Sequence, residues 1–431
     1  MSQVKQIAKD ARTASFRMAT LTTQMKNNAL QEIAKQILAN KDEIIDANKK
    51  DIVFAEQTKL ALPLQKRLLF NDEKINAVVD GIYSLIHLTD PVGQKLLATE
   101  LDVGLNLYKV SCPFGVIGII FESRPDALVQ IASLCLKAGN AVLLKGGTEA
   151  SHTNHALEKI ISQAGIVSGL PENWIQLLDT REQVKEMLDL NAYIDLLIPR
   201  GSNEFVIHIM KNTNIPVLGH ADGVCHLYIH EHADADMAIR LAVDSKTETV
   251  SVCNAVETIL IDKKIARKIL PELANRLREK NVVLYGCEKT GEILGTVKTV
   301  DNWHCEYLDY AVSICIVDDF TSAVNHINTY GSGHTDCIVT QDEELAKTFM
   351  GVVDSGNVFW NCSTRFSDGF RYGFGAEVGV STTKLHARGP VGLEGLVTYK
   401  YLVHGNGQTV QDYVSGKSSF THKPISIKKE E

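Results

Sequence analysis

Gly115-Val-Ile-Gly-Ile-Ile-Phe121, followed by Ala138-Gly-Asn-Ala-Val-Leu-Leu-Lys145-Gly-Gly147, is the stretch on which the fold turns. The first segment is continuously apolar and is stopped by Glu122-Ser-Arg-Pro125. A strand that is apolar on both faces belongs inside a parallel sheet. The second segment reads as turn, strand, then glycines, and 127–137 between the two reads as a helix. Working outward, 151–164 predicts the next helix, 175–178 a strand, and 192–198 a further strand running through Pro199-Arg-Gly-Ser202 into a helix. This alternation predicts an α/β chain with a doubly wound parallel sheet.

Upstream, residues 1 to about 90 read as helices, with apolar residues at three- and four-residue spacings such as Leu30, Ile33, Ile37 and Leu38. Asn40 stands three residues ahead of Glu43, a capping-box pattern. Leu62-Pro63-Leu64 interrupts the periodicity, with another helix expected beyond it. Helical content of this kind usually means a packed layer rather than a separate function. Residues 99–111 alternate in part, as a two-sided strand or hairpin would.

Downstream, a second α/β segment spans about 226–385. Strands are expected at 282–285, 311–317, 336–339 and 357–360, and helices at 265–279, 321–329 and 343–352. Residues 361–397 are rich in glycine, arginine and polar groups, and a loop of that length usually serves a site. A late strand is expected at 398–404. The tail 415–431 reads as mobile.

The 431 residues call for two or three domains. The formal charge of −8 offers no basic footprint for nucleic acid. The apolar runs are too short to cross a bilayer, and no apolar leader is visible at the start. The nine cysteines stand singly, without a CxxC pair, which removes support for zinc-ribbon and thioredoxin readings. A soluble, cytoplasmic protein is the simplest expectation.

Chemistry concentrates in Lys246-Thr-Glu-Thr-Val-Ser-Val-Cys-Asn-Ala-Val-Glu-Thr-Ile-Leu-Ile261. Cys253 lies between a polar segment and a strand-like run. Its thiolate is the strongest nucleophile available near neutral pH. Small neighbours leave room for a substrate and for backbone N–H groups facing an oxyanion. The bland alternative is a buried cysteine at the edge of a core. Lys145 and Gly201-Ser202 sit at strand ends, where a parallel sheet binds its ligands, although the GxGxxG fingerprint is absent.

Five further motifs raise the odds: Phe121-Glu-Ser-Arg-Pro-Asp126, Leu144-Lys-Gly-Gly147, Ile198-Pro-Arg-Gly-Ser202, Val252-Cys-Asn-Ala-Val-Glu-Thr258, and Val358-Phe-Trp-Asn-Cys-Ser-Thr-Arg-Phe-Ser-Asp-Gly369 through His386-Ala-Arg-Gly-Pro-Val-Gly-Leu-Glu-Gly395. Over nearly its whole length the chain resembles the gamma-glutamyl phosphate reductase family, within the aldehyde dehydrogenase superfamily. The resemblance implies a Rossmann-like NADPH domain (1–225, containing 95–112 of an oligomerisation hairpin), a catalytic domain (226–396), and a late strand of the β extension (397–414). It further implies a homo-oligomer and NADPH-dependent reduction of L-glutamyl 5-phosphate to L-glutamate 5-semialdehyde through a cysteine thioester, the second step of proline synthesis from glutamate. A separate glutamate 5-kinase is a possible partner. The main rival is another thioester-forming aldehyde dehydrogenase or acyl-phosphate reductase. A binding protein that has lost catalysis is the rival of another class.

Residue by residue, the resemblance makes Cys253 the nucleophile. The oxyanion donors stay open between the Cys253 N–H, Asn254 and Ser123. His220 stands where hydrolytic relatives carry a glutamate base, and is either a proton-transfer group or structural. Arg124, Arg365, Ser367 and Asp368 are implied for the substrate, with Arg200 and Arg371 in matching motifs. Lys145, Gly146, Gly201, Ser202 and Glu306 are implied for the cofactor, and no metal ligands are expected. Thr148 replaces the glutamate of NAD-preferring relatives, although Glu149 follows it.

Overall fold

The computed structural model describes residues 2–60, 62–122, 124–201, 203–219 and 222–427. The opening region is helical: Gln3–Met18, Thr23–Ala39, Lys41–Gln57, Leu62–Leu68 and Asp72–His87. Ser2, Thr22 and Asn71 accept backbone N–H groups at three of the helix starts, which otherwise leave donors unpaired. Asn40 departs from the capping box read in the sequence. Its Nδ2 donates to the Gln36 carbonyl at 2.8 Å, so it closes the helix before it rather than opening the next. Ala29, Leu30, Ile33, Ala34 and Ile37 form the buried stripe that seats this layer on the core.

Along the chain follow β1 (Lys95–Asp102), β2 (Leu105–Pro113), β3 (Val116–Ile120), β4 (Ala141–Lys145), β5 (Ile175–Leu177), β6 (Leu196–Pro199), β7 (Cys225–Ile229), β8 (Val256–Asp262), β9 (Val283–Gly286), β10 (Lys298–Thr299), β11 (Ala311–Val317), β12 (Thr335–Val339), β13 (Asn357–Trp360), β14 (Val380–Ser381), β15 (Gly389–Pro390), β16 (Val397–His404) and β17 (Lys423–Pro424). Among the described residues they form a four-stranded sheet of order β5-β4-β3-β6 and a seven-stranded sheet of order β10-β9-β11-β8-β7-β12-β13. A second four-stranded sheet has the order β16-β2-β1-β17, and β14 pairs with β15. The first two sheets are parallel at every pairing. All residues of β3, β4, β7, β8 and β12 are buried, as strands covered on both faces must be. The architecture is the expected α/β one.

Two departures from the sequence reading have physical causes. The strand expected at 192–198 starts only at Leu196. Asp195, just before it, donates its backbone N–H to the Val116 carbonyl at 2.9 Å, but its carboxylate, held by both Arg12 guanidinium nitrogens at 2.7 and 2.8 Å, takes the Val116 N–H at 2.8 Å that a ladder carbonyl would otherwise accept. The tail read as mobile is tied down at one point, where Lys423 and Pro424 pair with Glu100 and Thr99.

The alternating stretch is an antiparallel hairpin, β1 and β2. Its second strand is joined by β16 from the far end of the chain, in register from Val397 opposite Pro113 to His404 opposite Asn106. The same end of the chain enters the first core. Val378, Val391, Leu393, Leu396 and Val397 share one cluster with β3 and the opening helices. The expected loop 361–397 is thus partly structured, by the 3₁₀ turns Thr364–Phe366 and Leu393–Leu396 and by the β14–β15 pair. Among the described residues no helix is long and apolar enough to cross a membrane.

The smaller parallel sheet positions the site. From β3 the chain steps outward through β4 to β5, then returns to the other flank of β3 as β6. The loops after β3 and β6 therefore part at a topological switch point, where such sheets leave a crevice.

Candidate active site

A cavity of about 600 Å³ opens at that switch point. Glu122 lines it from the end of β3, and Arg200, Gly201 and Asn203 from the end of β6. Ser251 and Cys253 line it from the loop that leads into β8, Glu306 and Leu308 from the segment before β11, and Glu377 and Gly379 from the late loop. The C-terminal ends of one parallel sheet thus face the N-terminal edge of the other across the cavity.

Cys253 is half-buried, on a turn between the helix Ala235–Thr247 and β8. The turn is held from behind at both ends. Lys246 and Glu257, which bracket it, form an ion pair of 2.6 Å with neither side chain exposed. Burial pushes the Glu257 carboxyl up to about 7, against the pull of Lys246. The Cys225 thiol donates to the Cys253 carbonyl at 3.2 Å. Gly223 packs so closely that a Cβ there would overlap the Cys253 backbone, so no other residue fits without a shift.

The block 363–371 completes this brace. Arg365 is nearly fully buried, and its Nε donates to Glu248 at 2.7 Å; Arg371 reaches the same carboxylate at 3.4 Å. Thr364 Oγ1 donates to the Asn254 carbonyl at 2.7 Å, and the Asn254 Nδ2 donates to the Ser367 carbonyl at 2.7 Å. Asp368 accepts the N–H groups of Phe370 and Arg371 at 3.0 and 3.1 Å. None of Arg365, Ser367, Asp368 and Asn254 lines the cavity. Glu248 thus holds the Arg365 guanidinium and the Ser367 carbonyl holds the Asn254 amide, two donors that the sequence offered to a substrate or an oxyanion. Of the sequence candidates, the cavity gathers Cys253, Glu306 and Gly201. Arg124 lies in an adjoining cavity of about 520 Å³, which shares Arg67, Glu122, Arg200 and Ser251 with the first. Ser123, Ser202 and His220 lie outside the described residues.

Lys145 stands at the C-terminal end of β4, buried, with Nζ on the Gly146 carbonyl. Burial holds its ammonium below the usual lysine value, opposed by the charges of Glu149 and Asp179. Gly146 packs against the Asn154 side chain and the Phe121 ring. Glu306 accepts the Gly223 N–H at 2.9 Å and the Asn203 Nδ2 at 3.2 Å. This donor set suits a dinucleotide lying across the strand ends: a carboxylate for ribose hydroxyls, a lysine one strand away, and a glycine turn before the helix Asn203–Lys211.

The electrostatics of the thiol bring in a residue that sequence reading passed over. Burial pushes Cys253 up to about 12, with Glu377 and Glu306 adding to the rise and Arg200 opposing it. Glu377 accepts the Gly369 N–H at 2.9 Å, and burial pushes its own carboxyl up to about 7. It is the lone acid in the glycine-rich run Gly373-Phe-Gly-Ala-Glu-Val-Gly379, and that isolation was the available signal.

Residues 1–286 match the family model described as the aldehyde dehydrogenase family. The chain is 59% identical over 424 residues to the gamma-glutamyl phosphate reductase of Acetivibrio thermocellus, covering 98% of each. The crystal structure of gamma-glutamyl phosphate reductase from Thermotoga maritima superposes with a TM-score of 0.93 at 37% identity, over 95% of this chain and 100% of that one. An engineered glycolyl-CoA reductase with bound NADP+ shares the fold alone, with a TM-score of 0.64 at 15% identity over 93% of this chain and 97% of that one.

Proposed function

The chain belongs to the aldehyde dehydrogenase family, and within it to the gamma-glutamyl phosphate reductases; from that membership we propose how its residues carry out the reduction of L-glutamyl 5-phosphate to L-glutamate 5-semialdehyde, the proline-synthesis step. The cofactor is a nicotinamide dinucleotide, and we assign it as NADPH. The observation that carries the site reading is that Cys253 shares one cavity with Glu306, Gly201 and Glu377 at the switch point.

The thiol rests protonated, because burial and two carboxylates oppose its ionisation. Attack therefore requires a proton acceptor, and Glu377, with a carboxyl near neutrality, is the acceptor in the same cavity. As the S–H proton passes to Glu377, sulfur bonds to the acyl carbon and the carbon–oxygen bond to phosphate breaks. The product is a thioester, a better hydride acceptor than a carboxylate. A bound NADPH supplies the hydride that turns this thioester into a thiohemiacetal. Cleavage of the carbon–sulfur bond then releases the aldehyde and returns the thiolate, which regains its proton. The Cys253 N–H is the remaining oxyanion donor among the described candidates, since Asn254 is committed to Ser367. Glu306 and Gly201 hold the nicotinamide half of the cofactor, and Lys145 the adenosine ribose.

We also infer a homo-oligomer built on the outer edge of β16. That strand ends its sheet and exposes Tyr399, Tyr401 and Val403, a surface suited to pairing with a second copy. The assignment extends to a cytoplasmic location, with a glutamate 5-kinase as the source of the short-lived acyl phosphate.

The test is the reverse reaction. L-glutamate 5-semialdehyde, in equilibrium with its cyclic imine, is supplied with NADP+ and phosphate, and NADPH is read by absorbance. Phosphate-dependent NADPH formation by the wild type, absent in Cys253→Ala, is the expected result. Turnover independent of phosphate would point to hydrolysis of the thioester and overturn the reading. Replacing NADP+ with NAD+ tests the cofactor assignment, with a lower kcat/KM expected.

A further inference from the structure

The cavity that adjoins the cysteine site has a wall unlike the rest of the molecule. Five cationic side chains, Lys66, Arg67, Lys74, Arg124 and Arg200, line it against two carboxylates, Glu122 and Asp126. The chain as a whole carries a formal charge of −8. Asp126 is engaged by Arg124 at 2.8 Å, and Glu122 lies 3.6 Å from Arg67. The remaining positive charge stands in a cleft, where low-dielectric walls focus the field on a ligand. Ser251 and Val252 line the same cavity, which brings it to the residue before Cys253.

Three of the cations come from the opening helices, Lys66 and Arg67 from Leu62–Leu68 and Lys74 from Asp72–His87. Lys74 Nζ donates to the Arg67 carbonyl at 3.2 Å, so the two helices present their charges together. On the opposite wall Arg200 and Arg124 repel one another. That repulsion and, above all, burial draw Arg200 down from the usual guanidinium range. An anion between these walls relieves the repulsion and offers arginine the bidentate partner it favours.

We propose that this lobe binds an anionic group of the acyl-phosphate substrate, and that the N-terminal helical layer supplies Lys66, Arg67 and Lys74 to hold it. The proposal rests on the substrate reading given above. The two anions of that substrate are its phosphoryl group and its α-carboxylate, and the phosphoryl group is the one that must leave beside Cys253.

The variants Arg67→Gln, Lys74→Met and the exposed Lys66→Gln are assayed in the reverse reaction with phosphate and semialdehyde varied separately. The phosphoryl assignment expects the KM for phosphate to rise about tenfold or more, with kcat little changed and the KM for semialdehyde unmoved. A rise confined to the semialdehyde KM supports the lobe with the carboxylate as its ligand. Both KM values within about twofold of wild type, for all three variants, would overturn the proposal. Calorimetric titration with inorganic phosphate keeps this separate from the catalytic reading. If the wild type shows no phosphate-dependent turnover, the substrate reading fails, and equal phosphate binding by wild type and Arg67→Gln then removes the lobe as well. Because Lys66 is exposed, its variant keeps the test valid if either of the others fails to fold.

Discussion

Arg365 and Arg200 each sit in a family motif and each suit an anion, yet the fold uses them in opposite ways. Arg365 is buried against Glu248 and helps hold the turn that carries Cys253. Arg200 lines both cavities, beside Cys253 and across from Arg124. The difference lies in the partner. A carboxylate of the chain itself holds the first guanidinium through Nε, while the second feels another arginine more strongly than any carboxylate near it. An arginine's role is therefore decided by what the chain brings to meet it.

The largest effect expected is on Cys253, the proposed nucleophile. Cys253→Ala should lower reductase activity by about a thousandfold or more while leaving the melting temperature close to wild type. Residual activity within tenfold would detach both arginines from the chemistry assigned to them.

Next comes the buried pair behind the turn. Lys246→Met strands Glu257 and should cost about 3–5 kcal/mol in urea unfolding. The pH dependence has a definite sign. A carboxyl raised to about 7 in the folded state binds its proton more tightly there than in the unfolded chain. Its contribution therefore falls as pH rises from the unfolded pKa through about 7. The loss in Lys246→Met should accordingly be smaller at pH 6 than at pH 8, and an equal loss at both would show that Glu257 stays ionised throughout.

Arg365→Met and Arg200→Met sharpen the comparison directly. Loosening the brace should lower kcat about tenfold with the KM for phosphate unchanged, whereas removing Arg200 should raise that KM. The reverse pattern would restore Arg365 to the substrate. The smallest expected shift is in the titration of the thiol itself, read apart from turnover. Glu377→Gln removes the leading charge that holds the thiol protonated, so alkylation of Cys253 by iodoacetamide should shift to lower pH. An unchanged profile would mean that burial alone sets the thiol.

The parts of the molecule that could be read from sequence are those whose cause is local. Val116–Ile120 and Ala141–Lys145 are buried on every residue, apolar but for the closing Lys145, and they form the paired interior strands expected of them. The helix Glu343–Val352 and the strand Asn357–Trp360 fall where periodicity placed them. Asn40 was misjudged because it bonds back into the helix before it rather than forward, and Asp195 because its partners, Arg12 and Val116, lie far off in sequence. The candidate site divides in the same way. Cys253 stood in a family motif, whereas Glu306, which lines the same cavity, had no intact motif around it. The partnership of Arg365 with Glu248 spans 117 residues, and no spacing rule reaches across that distance. Lys66, Arg67 and Lys74 read as the polar face of a helical layer because the wall opposite them is built by residues from Phe121 onward.

The return of the chain to its own beginning also governs how it is made. β16 completes the sheet begun by β1 and β2, and Leu393, Leu396 and Val397 fill the core around β3. A ribosome adds about 5–20 residues per second, so the first half waits tens of seconds for its last strand and the apolar plug before it. Over that interval the hairpin has an open edge and the core an unfilled flank, while the seven-stranded sheet, whose strands all lie between Cys225 and Trp360, has its full set of strands earlier. Synthesis order and folding order are therefore inverted. A chain truncated after residue 376 should expose that unfilled flank to a chaperone or to aggregation, however intact its second half.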